Sequence, residues 1–172
     1  MKPIELPDFD PDYEERTFYY RGKVIAHFAK LEKTLESFLS IFFSTIRADR
    51  RKIQNIIFDR MTFENKRTSV KTVLLDLELE KGFVKTKSNA HPHKKLLEDL
   101  NYLNTTRNHF AHYVTLQATS KIEYEHAIGL IEYRDSPTYI WYSKEKIDEI
   151  IAKIEDVKTQ LTKLRTEHLK RE

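Results

Sequence analysis

Residues Leu96–Val114, LLEDLNYLNTTRNHFAHYV, set the reading of the whole chain. The stretch holds neither glycine nor proline, and its apolar residues recur at helical spacing, which predicts one helix of about five turns. At about 100° per residue, Leu96, Leu100, Leu103, Phe110, Ala111 and Val114 share a face, and Arg107 falls at its centre. Beside it, Asn101, Asn104, Thr105, Asn108, His112 and Thr115 form a second stripe, whose members all hydrogen-bond without an obligatory charge. Solvated helix faces are ordinarily built from Lys and Glu, so this one reads as a recess or a partner surface. Arginine dehydrates with less difficulty than lysine and grips phosphate through a planar fork. Histidine gives or takes a proton near neutrality. Arg107 and His112 are therefore a candidate kit for breaking a phosphodiester. They stand five residues apart, about 140° around an ideal helix, and so do not share a face. Asn108 and His112, four apart, are neighbours. Two arrangements reconcile the pair: a helix that bends or ends near Ala111, or a two-fold dimer that brings one chain's arginine to the other's histidine.

Working outward, residues 1–12 hold three prolines and read as an extended N-terminal arm. From about Tyr13 to Ile46, Val24, Phe28, Leu31, Leu35, Phe38, Phe42 and Ile46 step by three and four, predicting a long amphipathic helix. Ile25, Leu39, Ile41 and Phe43 widen its apolar face beyond what one neighbour covers. A shorter helix is expected near Asp49–Arg60. Thr62 caps the next one, which runs to about Lys81 with Val70, Val73, Leu74 and Leu77 inward, and Gly82 ends it. Residues 83–93 form a loop, and the Arg107 helix then extends to about Leu116. Beyond it, Ile128–Tyr133 and Tyr139–Tyr142 are β-branched and aromatic, and Arg134-Asp135-Ser136-Pro137 between them is turn chemistry. This predicts a β-hairpin, with Lys121–Tyr124 as a third short strand. Ser143 caps a final helix whose face is Ile147, Ile150, Ile151, Ile154, Val157, Leu161 and Leu164. The expected fold is mainly α: a bundle of four to five helices with a small β-hairpin, at about 121–142, inserted before the C-terminal helix. Residues 13–172 are expected to form a single domain.

Composition excludes several classes. With no cysteine there is neither a disulfide framework nor a thiolate metal site. Three glycines and five prolines in 172 residues favour long helices over a turn-rich β-protein. No run has the length of a membrane span, and the acidic N-terminus is unlike a signal peptide, so a cytoplasmic protein with no membrane partner is expected. A net charge of +3 does not by itself argue for nucleic acid. Its distribution is more informative: from Arg47 to Lys71 there are eight Lys/Arg against three Asp/Glu, and from Lys81 to Lys95 five Lys and no acid. The first fifteen residues carry six acids against Lys2. A basic middle behind an acidic leader is compatible with a phosphate-rich substrate. There is no phosphate-cradling glycine loop and no nucleophile elbow.

The segment Arg107-Asn108-x-x-Ala111-His112 resembles the Arg-x4–6-His signature of the HEPN superfamily, all-helical proteins that include many metal-independent endoribonucleases. Phe28–Leu35 is similar to the long first helix of that family, and Phe63-Glu64-Asn65-Lys66 to the start of a following helix. The resemblance covers about residues 20–117 and is specific around the six-residue motif. It implies a HEPN-like bundle, a homodimer with a composite cleft at the meeting of two motif helices, and RNA as substrate, in toxin–antitoxin, stress or anti-phage defence. An antitoxin or other regulatory protein is the further partner it implies, and neither cofactor nor metal is required. In the implied chemistry the ribose 2′-hydroxyl attacks the adjacent phosphate, leaving a 2′,3′-cyclic phosphate and a 5′-hydroxyl. His112 acts as general base or acid, Arg107 binds the scissile phosphate, and Asn108 orients one or the other. DNA, lacking the 2′-hydroxyl, is expected to be inert. His109, Tyr113 and Lys66 are the candidate substrate-binding residues. One family variant carries a tyrosine two residues after the histidine as a target for modification. Here that position is Val114, so this regulation is not carried over.

Other readings of the same residues stand beside these. Arg107 could pair with a carboxylate such as Glu32 or Glu64, and His112 could be a packing histidine. The whole motif could belong to a non-catalytic helical dimer that binds nucleotide, RNA or a partner protein. His91-Pro92-His93 is poor metal-site grammar, having no carboxylate ligand beside it in sequence.

Overall fold

The computed structural model describes residues 11–44, 46–84, 91–117, 126–133 and 136–170. The expected arm over residues 1–12, the third strand at Lys121–Tyr124, and part of the 83–93 loop fall wholly or partly outside that range. The element order is α1 (Pro11–Ser40), α2 (Arg47–Ile56), a 3-10 turn (Phe58–Arg60), α3 (Phe63–Glu80), α4 (Lys94–His112), β1 (Val114–Leu116), β2 (Ile128–Glu132), β3 (Thr138–Tyr142) and α5 (Lys144–Leu169). The mainly helical architecture, with a small antiparallel sheet before the C-terminal helix, is the one the sequence predicts.

Local chemistry sets several boundaries. Pro11 opens α1, where its missing N–H is no loss. Thr62 Oγ1 accepts from Asn65 N at 3.2 Å and starts α3, and Gly82, at φ 89°, takes the left-handed turn beyond its end. Ser143 Oγ accepts from Lys146 N at 3.2 Å and starts α5. Two helix ends differ from expectation. Helix α1 stops at Ser40, six residues early, and Phe42 N and Phe43 N reach back only to Leu39 O and Ser40 O. The stretch Ile41–Ile46 is β-branched, aromatic and hydroxylic, which favours leaving the helix. Helix α4 stops at His112 rather than near Leu116, and Val114–Leu116 becomes a strand.

The chain forms two compact units, to both of which α1, α4 and α5 contribute residues. One unit comprises residues up to Ala26 together with Arg107–Ile151. It holds the three-stranded antiparallel sheet, in the order β1-β2-β3. The hairpin β2–β3 is as expected. The described third strand is β1, immediately after α4, with Val114 opposite Ile131. Gly129 faces Trp141 across the hairpin, and a Cβ at Gly129 would lie 2.3 Å from the indole ring. The ring occupies the space that any other residue would fill. Tyr13, Val24, Phe110, Ile128, Leu130, Ile131, Tyr142, Ile147 and Ile150 are buried here.

The other unit, His27–Thr106 with Ala152–Glu172, is helical. Its core draws Phe28, Leu31, Leu35 and Phe38 from α1, Phe63, Val70 and Leu74 from α3, Leu96, Leu100 and Leu103 from α4, and Ile154, Val157 and Leu161 from α5. Each such side chain contributes about 1.5–3 kcal/mol on full burial. Phe28 meets Phe63 edge-on, with ring centroids 6.3 Å apart.

Candidate functional site

Why α4 ends where it does decides the geometry around Arg107. The last carbonyls of a helix have no partner within it. Here Arg21 of α1 supplies one: its Nε donates to Phe110 O at 2.8 Å and its Nη2 to Ala111 O at 3.4 Å. Its Nη1 donates to Thr115 Oγ1 at 3.0 Å, so the same guanidinium holds the first residues after the helix. A cation at a helix C-terminus also complements the helix dipole. Tyr113 N still bonds back to His109 O at 3.1 Å, after which the backbone extends into β1.

His112 is the last residue of α4. Arg107 Nη1 lies 3.3 Å from His112 Nε2. The helix ends one residue past Ala111, and this contact is made within one chain. A guanidinium can only donate, so in this contact Nε2 is the acceptor. His112 and Asn108 are exposed and Arg107 is half-buried. Among the described residues Arg107 has no carboxylate partner. Both carboxylates considered for it are engaged elsewhere. Glu32 bonds Lys66 at 3.0 Å. Glu64 accepts from Arg67 Nε at 2.8 Å and from Asn104 Nδ2 at 2.9 Å, and the Arg67 guanidinium holds its carboxyl below the ordinary range.

The buried seam of α4 is not quite the one the sequence drew. Leu96, Leu100, Leu103 and Phe110 are buried, but the position expected for Arg107 at their centre is taken by Thr106. Thr106 spends its hydroxyl on Tyr102 O at 3.0 Å, which makes it acceptable in a core. Arg107 stands at the edge of the seam, and Val114 is exposed on β1.

The three residues expected to bind substrate serve the fold. Lys66 is 2% exposed, with its ammonium 2.7 Å from Glu36 Oε1 and 3.0 Å from Glu32 Oε1. A cation closed into that cluster does not meet substrate. His109 Nδ1 lies 2.8 Å from the Tyr142 hydroxyl, tying α4 to β3. Burial pushes the His109 pKa below its ordinary value, and Glu132 offsets the shift only in part. Tyr113 donates to Glu132 at 2.7 Å and packs on the His109 ring, with centroids 4.9 Å apart. These two residues hold the sheet to the end of α4.

Arg21 is the residue that sequence reading missed. A signal was present, since Arg21 interrupts the Thr17, Val24, Phe28 stripe of α1 much as Arg107 interrupts that of α4. His91 and His93 lie together, ring centroids 6.0 Å apart, and His93 Nε2 meets Glu78 at 3.2 Å. Among the described residues no three of His, Asp and Glu converge as a metal site requires. Comparison with models of known protein families, with curated proteins and with solved structures finds no match to this chain. Fold and site together define a mainly helical protein with a solvent-facing arginine–histidine pair at a capped helix end.

Proposed function

We propose that this chain is a metal-independent endoribonuclease that cleaves RNA by 2′-hydroxyl transesterification, with Arg107 and His112 as its reacting pair. The observation that carries the reading is the Arg107–His112 contact: two exposed or half-exposed groups, complementary to a phosphate and to its nucleophile, meet with no carboxylate of the described residues on the arginine. An entering phosphate would take the guanidinium fork and release the lone pair of His112 Nε2. That nitrogen then accepts the proton of the 2′-hydroxyl as its oxygen bonds to phosphorus. The 5′-oxygen leaves with a proton from solvent or from the imidazolium, and Arg107 balances the charge on the phosphoryl oxygens. Asn108, one turn before His112 and exposed, orients substrate or imidazole. The resemblance to the HEPN signature supports the same assignment and adds a homodimer, an antitoxin or regulatory partner, and a role in defence or stress.

The test is incubation of purified protein with RNA in EDTA, alongside His112→Ala, with end-group analysis of the fragments. Cyclic-phosphate ends from the wild type, and a rate about 10²–10⁴-fold lower in the variant, are expected. Equal cutting by both proteins would remove His112 from the reaction. A second reading, a non-catalytic helical module binding nucleotide, RNA or a partner protein, is favoured by one observation: Lys66, His109 and Tyr113 all serve the fold. It requires intact RNA in both reactions.

A further inference from the structure

Helix α2 buries none of its ten residues. Asp49, Arg50, Ile53 and Gln54 are half-buried, and Gln54 Nε2 donates to Ser40 Oγ at 3.0 Å, so one side of α2 rests lightly on its own unit. The rest is open. Ile46, Ile56 and Ile57 are each half or more exposed, as is Phe43 in the preceding turn. The exposed Ile46, Ile56 and Ile57 stand at the two ends of α2, with Arg47, Arg50, Arg51 and Lys52 between them against the single acid Asp49. Lys52 Nζ lies 3.5 Å from Asp49 Oδ1, and the element still presents exposed isoleucines with arginines beside them.

Charge decides which occupant fits. A second copy docked about a two-fold axis would set the arginines of one α2 against those of the other. RNA would answer the cations and leave three isoleucines and a phenylalanine in water. A bilayer surface with anionic headgroups answers both, phosphates for the cations and the acyl boundary for the apolar side chains. No described helix is long and apolar enough to cross a membrane, so the contact is peripheral. We infer that α2, with Phe43, Ile46, Ile56 and Ile57, is a docking surface for anionic lipid. This revises the expectation of no membrane partner, which considered only spanning segments.

The test is co-sedimentation of the full chain with vesicles of phosphatidylglycerol and phosphatidylcholine, against vesicles of phosphatidylcholine alone. Binding to the anionic vesicles only is expected. Partitioning should weaken about tenfold or more in Arg51→Glu/Lys52→Glu, and comparably in Ile56→Ser/Ile57→Ser. Neither pair is buried, so both variants should keep the wild-type melting temperature, and the lipid comparison on the wild type stands independently of them. Failure to bind anionic vesicles, or equal binding to neutral ones, overturns the inference. So does binding that survives loss of the isoleucines, which is mere adsorption. Capture of polyuridylate without capture of vesicles would assign the surface to RNA. Wild-type dimers that Ile56→Ser/Ile57→Ser dissociates, again without vesicle binding, would assign it to a second copy.

Discussion

The Nη1 of Arg107 stands 3.3 Å from Nε2 of His112, although the two residues are five apart on a helix. The contact is made within one chain, at the residue where α4 ends. No described carboxylate depends on Arg107, so removing it orphans no buried charge. Arg107→Ala should therefore change stability by about 1 kcal/mol or less in chemical denaturation. A loss of about 3–5 kcal/mol would instead reveal a buried partner and a structural role.

Arg21→Ala should cost more than Arg107→Ala, despite lying outside the motif. It strands the carbonyls of Phe110 and Ala111 and releases Thr115. An expected loss of about 1–3 kcal/mol follows from the unsatisfied acceptors. Amide hydrogen exchange should quicken around Tyr113–Leu116, and unchanged protection there would contradict the capping role.

Lys66 is held between Glu36, buried like itself, and the half-buried Glu32. Lys66→Met should destabilise by about 1–3 kcal/mol, because Glu36 loses its buried partner but keeps Lys33, whose ammonium lies 2.9 Å from its other oxygen. Adding Glu36→Leu should recover much of that loss. A double variant no more stable than the single one would show that the cost lay in packing instead.

His109 gives a pH dependence of known sign. Burial holds its folded-state pKa below the ordinary 6.5, so the unfolded chain takes up this proton first as pH falls. The contribution is fully present above about pH 6.5 and declines on acidification until the folded-state pKa is reached. The comparison is with His109→Asn, which removes this one imidazole and keeps the rest of the chain. The melting-temperature advantage of wild type over this variant should shrink between about pH 7.5 and about pH 5. A pH-independent difference would refute the linkage.

Gly129→Ala should destabilise by about 1–3 kcal/mol, since its methyl would collide with the Trp141 ring. In a Trp141→Val background the same change should cost far less. Equal penalties in both backgrounds would place the strain in the backbone.

What could be read from the sequence was what neighbours in the chain determine. Thr62, Gly82 and Ser143 each act within a few residues, and each marks its helix boundary correctly. The hairpin was legible because Ile128–Glu132 and Thr138–Tyr142 lie close on either side of turn residues. The end of α4 was not, because Arg21 comes from 89 residues upstream of Phe110 and no local pattern fixes that meeting. The same limit hid β1: the helical pattern of the sequence runs on to about Leu116, whereas Val114–Leu116 pairs with β2. At the candidate site, residue type and spacing pointed to Arg107, Asn108 and His112 for the chemistry, and to His109 and Tyr113 only for binding substrate. Only their partners, Tyr142 and Glu132 on strands far along the chain, assign them to the fold. Thr106 and Arg107 stand about 100° apart around α4, and the ideal periodicity that set Arg107 at the centre of the face did not anticipate Thr106 in the seam.

The indole that Gly129 accommodates is also the only one in the chain. Its fluorescence therefore reports the sheet-bearing unit alone, while far-ultraviolet circular dichroism is weighted by helices that contribute to both. Superimposable melting curves would mean that the long helices transmit unfolding from one unit to the other. An emission change that precedes the loss of helix would mean that the unit carrying Arg107 and His112 opens first. The protein thus carries its own optical test of whether that pair rests on the less durable part of the molecule.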